Sequence, residues 1–89
     1  MRFDAVVEVR LRPGIADPAG ATIEAALPGL GFAGIGGVRV GKAIRLTVEA
    51  PDEAGARGRV EELCQRLLAN PVIEEAEVRL ESPGEMVDQ

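Results

Sequence analysis

Of the side chains that carry out covalent or proton-transfer chemistry, this chain holds one cysteine, fifteen carboxylates and ten Lys or Arg, and no histidine, tryptophan or tyrosine. Without an imidazole there is no His base, no His-ligated metal and no Cys–His pair. Paired carboxylates could work as acid and base, but here they lie scattered on polar faces. No apolar frame surrounds them to shift their pKa values. Cys64 falls on an apolar stripe and reads as a small core hydrophobe. The glycines of "GFAGIGG", residues 31–37, precede a strand instead of opening a helix, so they are not a phosphate loop. That leaves the cations of "VRVGKAIRL", residues 38–46: Arg39, Lys42 and Arg45. They are either ordinary solvated charges or a docking element, and Arg suits docking because its guanidinium grips a carboxylate bidentately. The chemistry on offer is binding, not reaction.

The elements that would position these residues follow from periodicity. Residues 2–12 alternate, with Phe3, Ala5, Val7, Val9 and Leu11 on one side and Arg2, Asp4, Glu8, Arg10 and Arg12 on the other. That pattern predicts a half-buried strand, ended by Pro13-Gly14. Asp17-Pro18 then supplies a helix start, the carboxylate capping backbone N–H groups and the proline at the first helical position. Ile23, Ala26, Leu27 and Leu30 follow at helical spacing. Pro28 removes a backbone hydrogen bond, so the helix should kink or end near Leu27.

Residues 35–50 read as a hairpin. A three-residue turn at Gly41-Lys42-Ala43 would pair Val40 with Ile44 and Val38 with Leu46, keeping both strands in apolar phase. A second helix should open at Asp52 and carry Ala56, Val60, Leu63, Cys64 and Leu67 along one stripe. Asn70-Pro71 stops it. A last strand alternates Ala76, Val78 and Leu80 inward with Glu77, Arg79 and Glu81 outward.

The order β-α-β-β-α-β predicts an α+β, ferredoxin-like sandwich: an antiparallel sheet with two helices on one face. On this plan the turn at 41–43 and "ANPV" at 69–72 share one pole with Arg2 nearby, and Arg10 and Arg12 lie at the opposite pole. The 89 residues suffice for one domain, 1–81, followed by a flexible acidic tail, 82–89. The whole net charge of −5 arises in the last twenty residues, since residues 1–69 balance nine bases against nine acids. An acidic chain without aromatic platforms is a poor nucleic-acid binder. An RNA-binding sandwich needs aromatics on its central strands, and only Phe3 falls there. No stretch is long and apolar enough to span a bilayer, and a lone cysteine fits a cytoplasmic location.

"DPAG" at 17–20, "VRVGKAIRL" at 38–46 and "VEELCQRLLANPVIEEAEV" at 60–78 resemble, in order and spacing, the PurS family. This is the small subunit of phosphoribosylformylglycinamidine synthase, in purine biosynthesis. The likeness covers residues 1–81, with Pro28 a departure in the first helix. The resemblance implies a subunit without a catalytic, cofactor or metal site of its own. ATP and magnesium would be used by the large synthase subunit, which adds ammonia released by a glutaminase subunit. The small subunit would bridge the two and assist ammonia transfer, as a homodimer or dimer of dimers. It also implies interface residues: Arg39, Lys42, Arg45, Asn70 and Pro71. The alternative lies in "RPGI" at 12–15, which resembles the start of an ACT-type amino-acid-binding regulatory domain. Asp17-Pro18, however, places the helix a few residues later than that family does.

Overall fold

The computed structural model describes residues 1–81; the tail proposed for 82–89 lies outside them. Five main elements follow one another: β1 (Arg2–Leu11), α1 (Pro18–Ala26), β2 (Gly41–Glu49), α2 (Glu53–Leu63) and β3 (Glu74–Glu81). The three strands form one antiparallel sheet in the order β2-β1-β3, consistent with a ferredoxin-like α+β fold.

Register follows apolar phase. Val7 faces Ile44 on one side and Val78 on the other, Ala5 faces Leu46 and Leu80, and Phe3 faces Val48. α2 lies over this face, and Ala5, Val7 and Val9 bury against its Val60 and against Cys64 just beyond it. Phe3, Ala50 and Ala56 make a second, smaller cluster. The polar face has one exception to strict alternation: Val6 sits between Arg45 and Arg79 and is only 4% exposed.

Helix boundaries match their chemistry. Asp17 caps α1 and Asp52 caps α2, each accepting a backbone N–H three residues on. α1 stops at Ala26, and Pro28–Leu30 continue as a single 3-10 turn closed by Gly31 at φ +88°. This is the early ending that Pro28 predicts.

Two expectations about local structure fail. The first strand of the 35–50 hairpin does not form, and neither does its turn: residues 41–43 lie within β2. Residues 35–40 run on without a turn into Gly41 and have no neighbouring strand among the described residues. The amides of Val38 and Val40 are taken instead by the carboxylates of Glu24 and Asp17, at 3.1 and 2.9 Å. Second, Leu67 is not core but 74% exposed. Residues Cys64–Leu68 form a π-turn. Widening the turn by one residue brings Leu68 onto the stripe against the core and rotates Leu67 out.

Candidate functional site

Because β1 and β2 run antiparallel, the end of β1 coincides with the start of β2, where Arg10 faces Gly41. β3 begins at the same end, with Glu74 opposite Leu11. This pole collects most of the chain's distinctive polar residues.

Its centre is Arg12. The backbone N–H donates to Ile73 O at 2.8 Å, while Nε and Nη2 both donate to Pro71 O at 3.1 and 2.9 Å. Asn70 completes the turn: its Oδ1 accepts the Val72 N–H at 3.1 Å and its own N–H donates to Glu74 Oε1 at 2.7 Å. The turn is thereby fixed, and it presents Val72 at 79% exposure.

On the other side of Arg12 stands Asp17, whose side chain is only 8% exposed. Its two oxygens serve two segments: Oδ1 caps α1 at Gly20 N, 2.9 Å, and Oδ2 accepts Val40 N, 2.9 Å. The Arg39 guanidinium approaches within 3.9 Å. The Gly20 N–H, then the Val40 N–H, then the Arg39 charge favour the ionised carboxylate and hold its pKa below the usual aspartate value. Arg39 also points Nη2 at Arg12 O, 3.5 Å away. Arg39 and the 70–73 turn thus converge on one residue, Arg12.

Lys42 lies at this pole beside Asp17, Pro18 and Glu74, around a shallow hollow that Val9 and Leu11 floor. So four of the five residues predicted as an interface, Arg39, Lys42, Asn70 and Pro71, come together. Arg45 does not; it is mid-strand beside Val6 on the polar face. Arg2, expected here, is at the far end opposite Glu49, and Arg10 and Arg12, expected at the far end, are here. The error has one cause, the antiparallel sense of β1 and β2. Nothing local in sequence marks the role of Arg12, because its guanidinium binds a carbonyl 59 residues away.

No group of three or more metal-ligating side chains occurs among the described residues. Cys64 is buried, and desolvation, then the Glu61 charge, pushes its thiol pKa up. A thiol in that state is a poor nucleophile.

Residues 4–82 match the family model for PurS, phosphoribosylformylglycinamidine (FGAM) synthase. The chain belongs to the PurS family. The PurS subunit of Synechocystis sp. is 50% identical over 68 residues, covering 76% of this chain and 68% of that protein. That of Methanocaldococcus jannaschii is 39% identical over 79 residues, 89% of this chain and 95% of the other. Among solved structures, a chain of PurLQS from Thermotoga maritima superposes with a TM-score of 0.84 at 38% identity, covering 91% of this chain and 99% of its own. These relatives are synthase subunits, which leaves the ACT-type alternative without support.

Proposed function

We propose that this chain is the small, non-catalytic subunit of phosphoribosylformylglycinamidine synthase. It bridges a glutaminase subunit and a large synthase subunit and assists the transfer of ammonia between them. The observation that carries the reading is the match to a chain of the Thermotoga maritima PurLQS structure, over 91% of this chain and 99% of that one. ATP and magnesium belong to the large subunit's chemistry, and this chain holds no cofactor. Ammonia crossing bulk water is protonated at neutral pH and lost as a nucleophile. A bridge that closes the gap and excludes water protects it without touching a reacting atom.

The contact residues are those gathered at the pole. Lys42 has no carboxylate within ion-pair distance among the described residues and offers its charge to a partner. Arg39 is oriented by Asp17, and Asn70 acts through the turn that displays Pro71 and Val72. Arg45, on the polar face, meets a different part of the assembly. The subunit works as a homodimer or dimer of dimers in the cytoplasm; no helix of the described residues is long and apolar enough to cross a membrane.

The decisive experiment measures formylglycinamidine ribonucleotide formation by the matching synthase and glutaminase subunits, with and without this protein. Glutamine is compared with ammonium chloride as nitrogen donor. The reading expects the protein to be required with glutamine and to matter little with ammonia. Equal rates with and without it, on either donor, would remove the bridging role.

A further inference from the structure

Every backbone N–H of the turn at 69–74 is already committed. Ala69 donates to Cys64 O, Asn70 to Glu74 Oε1 and Val72 to Asn70 Oδ1, while Ile73 and Glu74 both donate to Asn70 O. Pro71 has no N–H, and its carbonyl is held by Arg12. A subunit that meets this turn finds no backbone donor on it. What the segment offers is apolar. Val72 and Leu67 are the two most exposed large hydrophobic side chains among the described residues, and Pro71 is exposed beside Val72. Neither owes its exposure to a loose end: the side chain of Asn70 fixes the backbone at Val72, and the π-turn at Cys64–Leu68 carries Leu67 outward.

The bonds from Asn70 close the turn on itself. Arg12 alone ties it to the end of β1. Its N–H reaches Ile73 O at 2.8 Å, and Nε and Nη2 converge on one oxygen, Pro71 O, at 3.1 and 2.9 Å. Two N–H groups of a planar guanidinium fix the direction of that carbonyl as well as its distance, which a single ammonium does not do. The nearest carboxylate is looser, with Glu75 Oε2 at 3.9 Å from Nη1, and both side chains are well exposed. An exposed pair of that length contributes little. The carbonyl is therefore what Arg12 holds. Arg12 is itself anchored, since its own carbonyl accepts the Ile15 N–H at 3.2 Å.

We propose that Arg12 is a positioning residue for assembly: it holds the 70–73 turn in one preformed place, so that Val72 enters an apolar socket on the synthase subunit that meets this pole. The inference rests on the reading of the pole as a contact surface and names the residue that organises it. The occupant is another subunit and not a second copy on grounds of size. A self-standing interface uses about 20–30 residues a side, and one apolar tip is an anchor inside a larger contact that Lys42 shares. A turn already ordered loses little freedom when it docks, whereas a mobile one has to be ordered at that moment. That difference is what the clamp contributes. Arg12 itself touches no partner in this account and acts only through Pro71.

A double-mutant cycle tests it, read as the concentration of labelled chain that half-saturates the matching synthase and glutaminase subunits. Val72→Ala and Arg12→Ala are each expected to raise that concentration by about fivefold or more, the loss of one interface anchor. The double variant should stay within about twofold of the worse single one, because a misplaced tip has nothing further to lose. Arg12→Lys keeps the charge, loses the paired bonds and should behave like Arg12→Ala. If Arg12→Ala loses cooperative melting, Arg12→Lys takes its place in the cycle. Effects that multiply, to about 25-fold in the double variant, would overturn the positioning role. So would wild-type binding by Arg12→Lys, which would mean that charge alone acts, or wild-type binding by Val72→Ala. Sedimentation equilibrium guards the choice of occupant: self-association weakened by Val72→Ala would assign the tip to a second copy and overturn the proposal. A cycle that behaves as expected, in a chain that glutamine-dependent synthesis does not need, would instead count against the bridging role.

Discussion

Asp17 shows how much one side chain can hold and how little of that its neighbours in sequence announce. Its capping of α1 was legible from Asp-Pro alone, because the cap is local. Its second bond, to Val40, closes a loop of 23 residues and leaves no local signature. The pH consequence follows from the direction of its shift. A carboxylate held below its usual pKa in the fold adds stability above that usual value, and the addition is lost as pH falls through the lower folded value. The protection factor of the Val40 amide, its exchange rate relative to the unstructured chain at the same pH, is therefore expected to fall on acidification below the usual aspartate range. In Asp17→Asn the protection should be low already at neutral pH and lack that step. An unchanged Val40 profile in the variant would mean the contact does not hold the segment. Lys42 makes the contrasting case, a residue whose charge has no carboxylate partner among the described residues. Lys42→Glu is expected to leave the unfolding free energy within about 0.5 kcal/mol of wild type, as exposed substitutions do. Pull-down of the synthase and glutaminase subunits should fall at least several-fold, and undiminished assembly would remove Lys42 from the interface.

At the scale of elements, alternation reports which side of a strand is buried and says nothing about what it pairs with. β1 was read correctly because its partners lie in the same chain, and its register with β2 and β3 is the one the apolar phase demands. Val38 and Val40 carry the same signal, yet in this chain they pair with carboxylates. The apolar stripe of α2 was legible as far as Cys64 and wrong beyond it. A fixed 3.6-residue period cannot foresee the π-turn at Cys64–Leu68, which moves the core position by one residue. This gives a sharp pair of substitutions. Leu68 packs on the main cluster, so Leu68→Ala should cost about 2 kcal/mol or more in urea unfolding. Leu67→Ala should cost no more than about 0.5 kcal/mol in the isolated subunit. The reverse ranking would restore the regular helix. The pole was legible in part for a similar reason: turn chemistry marked Asn70-Pro71 and charge marked Lys42, but the clamp from Arg12 joins them only in space.

For the whole molecule, shape carries the argument. A compact chain of this length has a radius of gyration of about 12 Å, whereas this one has 16.7 Å and a long axis of 51 Å. α1 and the segment after it supply much of the exposed apolar surface, with Ile23, Leu30, Phe32 and Ile35 all open. A small domain with a single helix over its sheet has little burial to spare, so its stability should depend on what covers that surface. If the cover is a second copy, folding and association are one equilibrium and the melting temperature depends on concentration. Each tenfold increase in protein adds about 1.4 kcal/mol per dimer. Unfolding two chains of 89 residues releases about 2.1 cal/mol/K per residue, so the melting temperature should rise by about 4 °C for every tenfold. Calorimetry across two decades of concentration reads this directly. A melting temperature that does not move would mean that each chain folds alone, and that its open helix is held for a different subunit of the synthase.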